Sequence, residues 1–501
     1  MSLAILYSRA QAGINAPLVT IEAHLSHGMP KFTIVGLPET AVKESKDRVR
    51  SALINSDFEL PIGRTTINLA PADLPKEGGR FDLAIALGLL IASKQLTANN
   101  LSQYEFTGEL ALSGKLRYIH GVLPIALHAK HANRTLIIPT SNADEASLVK
   151  GLKVLPANHI LEVYNHLSGK KTIEPYAPAQ TIPDNNYELD LSDVRGQQHA
   201  RRALEIAVAG GHSMLLIGPP GSGKTMLASR MPTILPTMTD QEAIEAATIA
   251  SISHHGFQYA HWKNRPYRAP HHSASSIALV GGGNPPRPGE ISLAHQGVLF
   301  LDELPEFSRH VLESLREPLE SGAITISRAA RQSEFPAQFQ LIAAMNPCPC
   351  GHAGDPAGNC GCTSDQIQRY RNKISKPMLD RIDIHIEVPR LPIEQLSSQQ
   401  QNIIESSHQV RQRVEQARQV QLSRANKTNS QFTNKDVEQY CKLETKEQKF
   451  FHQAANKLKL SARSYHRTLK VARTIADLAK KELIDIDSLT EALSYKELGL
   501  Y

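Results

Sequence analysis

Gly218-Pro-Pro-Gly-Ser-Gly-Lys224-Thr225 is the stretch that decides how this chain folds. It matches GxxxxGK[ST], follows the apolar run Ser213–Ile217 and opens a helical pattern at Met226. Glycines let successive main-chain N–H groups turn toward phosphate oxygens, and the helix N-terminus adds its positive dipole. In this reading Gly218, Pro219, Pro220, Gly221, Ser222 and Gly223 form the cradle. Lys224 reaches the β- and γ-phosphates, and the Thr225 hydroxyl ligates Mg²⁺. A strand–loop–helix unit of this kind belongs to a parallel sheet. The expected fold class is therefore α/β, and the expected cofactors are ATP and Mg²⁺.

Downstream, Val298-Leu-Phe-Leu301 is apolar throughout and delivers Asp302 and Glu303 to its C-terminal end. Asp302 is placed to hold Mg²⁺ and Glu303 to polarise the attacking water, which marks a hydrolase rather than a nucleotide-holding fold. A third apolar run, Gln340–Met345, ends at Asn346. There a polar side chain can touch the γ-phosphate and position the water, although an Asn before Pro is by itself a common turn former.

The flanking sequence divides around this centre. Residues 1–170 alternate short apolar runs (LVTIEAHL, KFTIVGLP, TLIIPT) with helical patterns at Glu39–Ile54 and Phe81–Ser93, the signature of an α/β or α+β domain. The opening MSLAILYSRA lacks a basic leader and reads as a buried first strand. Residues 171–190 are rich in Pro and Asn and read as a linker. Residues 191–392 carry the apolar strands of the nucleotide core, and 393–501 are helical and charged.

Composition narrows the function classes. The longest apolar run, Leu83–Ala92, is half the roughly 20 residues a membrane span needs, so no membrane partner and a cytoplasmic location are expected. Net charge is +6, while aromatics are 5% with one Trp, which disfavours base-stacking readers. Any nucleic acid would be held by Lys and Arg on phosphates.

Four of the five cysteines crowd between Cys348 and Cys362. Cys348, Cys350, Cys360 and Cys362 are the right number of thiolates for a structural, tetrahedral Zn²⁺ with no open catalytic position. The Cys-x-Cys spacing is tighter than the usual Cys-x-x-Cys, and reduced thiols or a labile disulfide are the alternatives. His352 is a spare ligand, and Cys441 is a core residue.

Taken in order, GPPGSGKT, GVLFLDELPEF, AMNPCPCG and LDRIDIHIEVP resemble the ComM/YifB family of magnesium-chelatase-like AAA+ ATPases over the whole chain. The resemblance implies an N-terminal α+β domain like that of Lon protease and ribosomal S5, a central AAA+ core and a C-terminal helical lid. It implies a homo-hexameric ring with ATP at the subunit interfaces. Arg381 of LDRID would complete a neighbour's site, and Arg463 in the lid would be the second sensing arginine, with Arg467 as the alternative. Val194, Gly196 and Gln197 would lie against adenine. Two insertions would face DNA: the segment carrying Arg268, His271 and His272, and a hairpin carrying Arg328 and Arg331. The activity implied is a helicase on single-stranded and branched DNA that promotes branch migration in natural transformation.

Pro75-Lys-Glu-Gly-Gly-Arg80 resembles the active-site stretch of Lon-type proteases, but Arg80 stands where the nucleophilic Ser belongs, so that chemistry has no acyl acceptor. Lys43, Lys46, Arg48 and Arg50 read as a solvated helix face or a contact surface. A chelatase motor subunit or another AAA+ remodelling ATPase is the alternative. The chain has no Asp-x-Ser-x-Ser metal-adhesion motif, but a separate partner could carry one.

Overall fold

In a computed structural model of the protein, the described residues are 2–177, 187–283, 285–328, 331–354, 360–391 and 405–496. They form two compact units. The first comprises residues 1–184, 243–262 and 327–335, and the second 185–242, 263–326 and 336–501. Residues 178–186 of the expected linker lie outside the described residues.

In the first unit, four strands form a mixed sheet in the order Ser2–Arg9, Leu18–Ser26, Arg64–Ala70, Lys31–Val35. The first strand is not wholly buried. Ala4, Leu6 and Ser8 point inward, while Leu3 and Ile5 are exposed. The strand pairs antiparallel with Leu18–Ser26, and successive side chains of a strand point to opposite faces, one packed and one wet, which imposes this period of two. The helix Asp82–Ala92 is buried along nearly its whole length, against Ser2–Arg9 and Leu18–Ser26. Three parallel strands, Tyr104–Phe106, Thr135–Pro139 and Val154–Ala157, make a second sheet. The helix expected over Glu39–Ile54 breaks into Thr40–Lys43 and Ser45–Ile54. Arg48 does not lie on a solvated face. Its Nε donates to buried Asp82 Oδ2 at 2.7 Å, and Ser45 Oγ donates to Asp82 Oδ1 at 2.5 Å.

The second unit holds the nucleotide core. Five parallel strands run in the order Tyr267–Arg268, Val298–Leu301, Gln340–Met345, Met214–Ile217, Ile384–Glu387. The three central strands are buried at every position, as a parallel sheet covered on both faces requires. Residues 405–496 are helical, with Ser407–Ala425 packed on the helices Gln198–Gly210 and Lys224–Ile234. Val410, Val414, Leu469, Ile475 and Leu489 share one apolar core with Leu216, Phe300, Ile342 and Ile384. Cys441 is buried in that core, which pushes its thiol up to about 12.

Among the described residues no helix is long and apolar enough to cross a membrane. Arg80, in place of the Lon-type serine, is buried and donates from Nη2 to Gln11 Oε1 at 2.8 Å. Lys76 is fully buried, and its Nζ donates to the carbonyl oxygens of Gly36 and Pro71.

Glu145 of the first unit is buried, and burial pushes its carboxyl up to about 7 against partial relief from Ser251. A carboxyl raised in the folded state favours folding while protonated, so that contribution is lost as pH climbs from the unfolded value through about 7. Glu145→Gln should therefore stabilise the protein more at pH 8 than at pH 5.5. The gain at pH 8 should approach about 3 kcal/mol at 1.36 kcal/mol per unit. Thermal melts of both proteins at the two pH values check this.

Candidate nucleotide site

The phosphate loop leaves the sheet between two neighbours. The Gly218 N–H donates to Met345 O, and the Val388 N–H donates to Ile217 O. A Cβ on Gly218 would lie 2.1 Å from Val388 O, so only glycine fits there. Gly221 and Gly223 have φ of +77° and +93°, and the space beside both is open. The cleft above them measures about 340 Å³, and Lys224, Thr225, Asp302, Glu303 and Asn346 line it together with Pro220–Gly223. Phosphate loop, acidic strand end and polar strand end therefore converge at the C-terminal edge of the sheet, where open α/β folds bind ligands.

The side chains there form one chain of contacts. Lys224 Nζ donates to Gly218 O at 2.7 Å, to Pro219 O at 2.9 Å and to Asn346 Oδ1 at 3.2 Å. Burial lowers its pKa, and the Asp302 and Glu303 carboxylates oppose that shift. Thr225 Oγ1 donates to Asp302 Oδ2 at 2.8 Å, which brings the two Mg²⁺ ligand candidates together. Asp302 Oδ1 accepts from the Glu303 N–H, and Glu303 adopts a left-handed φ of +52° that turns it out of the strand. An open glycine cradle at a helix N-terminus, an ammonium group and a hydroxyl–carboxylate pair fit a nucleoside triphosphate with Mg²⁺.

Of the adenine candidates, Gln197 is tied to the site. Its Nε2 reaches Ser222 O at 3.4 Å and Pro389 O at 2.6 Å. Gly196 has φ +64°, with Leu391 packed against the space a Cβ would take, and Val194 is buried in the core.

His272 is where the structure adds to the sequence reading. Grouped with the DNA candidates, it sits with Nδ1 3.2 Å from Glu303 Oε2. Its neighbour His271 bonds Ser273 Oγ at 2.8 Å. Arg268 is engaged bidentately by Glu290, at 2.6 and 2.7 Å, which leaves little of its fork for phosphate. Nothing in the sequence marks His272 for this role; it follows the short strand Tyr267–Arg268, and that this strand lies beside Val298–Leu301 is a fact of sheet order. Arg328 and Arg331 end and begin the paired strands Ala323–Arg328 and Arg331–Pro336, and their side chains lie outside the described residues.

Neither Arg381 nor Arg463 lines the Lys224 cleft. Arg381 Nη2 and Arg463 Nη2 both sit on Glu320 Oε1, at 2.6 and 3.1 Å. Burial lowers the pKa of Arg381, Glu320 works against that, and the nearby charges of Arg463 and Arg316 add to it. Arg467 is taken up elsewhere: its Nη1 donates to Asp383 Oδ1 and to Arg381 O.

The cysteine sulfurs converge directly after Asn346. Cys348 Sγ lies 3.4 Å from Cys350 Sγ and 3.7 Å from Cys360 Sγ, and all four sulfurs fall within 4.8 Å of one another. A tetrahedral site with Zn–S of about 2.3 Å has S···S edges of about 3.8 Å, so the cluster is compatible with zinc. The Ala353 N–H donates to Cys348 Sγ, and the His352 N–H is the main cause that brings the Cys350 thiol down to about 6. This loop touches the phosphate loop: a Cβ on Gly351 would lie 2.6 Å from Pro220 Cδ.

Comparison with known proteins agrees with this layout. Residues 190–396 match the family model "Magnesium chelatase, subunit ChlI", 21–142 match "Subunit ChlI of Mg-chelatase", and 404–496 match "Magnesium chelatase, subunit ChlI C-terminal". The chain is 55% identical over 503 residues to competence protein ComM of Haemophilus influenzae, covering 99% of this chain and 98% of that protein. It is 50% identical over 499 residues to YifB of Escherichia coli K12, again 99% and 98% of the two chains. A Mycobacterium bovis protein is 39% identical over 509 residues, 100% of this chain and 99% of that one.

Two substitutions separate holding nucleotide from cleaving it. Glu303→Gln should bind ATP with near-normal affinity but hydrolyse it at least about 100-fold more slowly. Lys224→Ala should lose affinity itself. Nucleotide titrations and phosphate release on both variants check this, and near-normal hydrolysis by Glu303→Gln would remove the glutamate from the chemistry.

Proposed function

The chain belongs to the ComM/YifB family of magnesium-chelatase-like AAA+ ATPases, and from that premise we propose that it is an ATP-driven DNA motor, a homo-hexameric helicase that promotes branch migration of recombination intermediates in natural transformation. The observation that carries the ring reading is the cleft itself. It offers Lys224, the Mg²⁺ ligands and Glu303, but no arginine among its described lining residues. Phosphoryl transfer in such sites gains about 10³- to 10⁵-fold from a guanidinium supplied to the transferred phosphate. Arg381 and Arg463, clustered away from the chain's own cleft, supply it to the nucleotide of the next subunit. Glu303 polarises the water, Asn346 positions it, and Thr225 and Asp302 hold Mg²⁺.

DNA as the partner is supported by full-length similarity to a competence protein, by the net charge of +6 and by the Arg328–Arg331 hairpin. Single-stranded and branched DNA are the forms a branch-migration motor engages. ATPase rates with no DNA and with single-stranded, duplex and branched DNA test the reading. Stimulation by branched or single-stranded DNA is expected, and indifference to all three would favour a chelatase-type or other remodelling motor instead.

Two more outcomes follow from the same assignment. Changing Arg328 and Arg331 together to Ala should weaken DNA affinity and flatten its dependence on salt, because fewer counterions are released, while ATP affinity holds. Binding isotherms at several salt concentrations check this. The four cysteines hold one structural Zn²⁺ per chain. Elemental analysis of protein purified without added zinc should find it, and Cys350→Ser should lose most of it.

A further inference from the structure

An arginine that must reach a neighbour's phosphate is held back in this chain. The Arg381 residue is only 4% exposed. Its Nη1 donates to Pro377 O at 2.7 Å, and its Nη2 lies on Glu320 Oε1 at 2.6 Å. The same carboxylate oxygen takes Arg463 Nη2 at 3.1 Å. Two guanidinium groups on one carboxylate are strongly engaged, because charge-assisted bonds are about twice as strong as neutral ones. A triphosphate presented by another subunit must compete with that carboxylate for the same N–H donors. Glu320 itself is half exposed, so competition at this point is physically open.

The place of Glu320 in the chain gives it a second connection. It lies in the short helix Pro318–Ser321, directly before the strand Ala323–Arg328 of the hairpin. Ser321 Oγ donates to Ala323 O at 2.9 Å and accepts from the Ala323 N–H at 3.2 Å. Gly322, at φ +70°, accepts from the Ala337 N–H at 2.8 Å, where the second strand has just ended. The helix end is thus bonded to both legs of the hairpin base. Displacement of those legs moves the residue that carries the carboxylate.

We propose that Glu320 is an electrostatic latch that keeps Arg381 and Arg463 from a neighbouring subunit's nucleotide, and that the hairpin rooted beside it withdraws the latch when DNA is engaged. The inference rests on the reading that Arg381 serves the adjacent subunit. It adds a positioning residue and a route by which DNA raises the hydrolysis rate. Glu320 is not among the described residues that line the Lys224 cleft, and it acts only through the two arginines.

The test uses the full-length protein with Glu320→Gln, Glu320→Asp, Arg381→Ala and the double variant Glu320→Gln/Arg381→Ala. ATP affinity, ring size by light scattering and ATPase rate with and without DNA are measured for each. Glu320→Gln removes the charge and keeps the shape. Its DNA-free ATPase should rise several-fold, its ratio of DNA-stimulated to basal rate should fall toward one, and its ATP affinity should not change. Glu320→Asp should restore low basal hydrolysis, and the double variant should be as inactive as Arg381→Ala, which shows that the gain runs through that arginine. An unchanged basal rate in Glu320→Gln would overturn the latch. So would a lowered rate in an intact ring, which makes the carboxylate a support, or failure of both single Glu320 variants to assemble, which makes it scaffold. If wild-type protein ignores DNA, the motor reading and the release step fall together, while the basal rate still decides the latch. If Arg381→Ala keeps full activity, the trans-arginine reading fails first.

Discussion

Gly218 has no room for a side chain, and much of the second unit follows from that. Its backbone is pinned between Met345 on one neighbouring strand and Val388 at the end of the other. Three parallel strands therefore finish together, and whatever follows each of them is delivered to the same edge. One ending gives the phosphate loop and Lys224. The next gives Asn346 and the cysteine loop. The third, whose approach runs through Arg381 and Asp383, gives Val388 and Pro389, and Pro389 O is held by Gln197. Any residue larger than glycine at 218 would part the outer strand from the loop and loosen all three at once.

The edge so formed is electrically crowded, and its contacts show how the crowding is managed. Lys224 is half surrounded by main-chain carbonyls, which hold an ammonium group in place without neutralising it. Asp302 divides its two oxygens between the Thr225 hydroxyl and the Glu303 N–H. Glu303 is turned outward by its left-handed backbone and meets His272. The acid proposed to act on water is thus held by a side chain from the turn that follows the adjacent edge strand Tyr267–Arg268, in the segment that the family resemblance associates with DNA.

Legibility in the sequence followed the range of the forces involved. The phosphate loop, the acidic strand end and the strand Gln340–Met345 were readable because short-range pattern and backbone chemistry fix them. The cysteine cluster was readable from composition, and its sulfurs do converge. What could not be read depends on strand order and long-range pairing. Nothing local indicates that His272 meets Glu303, that Arg268 is absorbed by Glu290 or that Arg381 and Arg463 share Glu320. Arg48 misled in the same way, because its partner Asp82 is 34 residues away. Charged residues look solvated in a sequence until the fold supplies a buried counter-charge.

The apolar core shared by the C-terminal helices and the sheet limits how such a machine can move. A lid free to swing on a hinge must keep its apolar surface covered in both positions. Here Leu469, Ile475 and Leu489 are packed in the same interior as Phe300 and Ile342. Uncovering one such side chain costs about 1.5–3 kcal/mol, and swinging the helices away would uncover several together. Sheet and helices are therefore joined by a core that resists their separation.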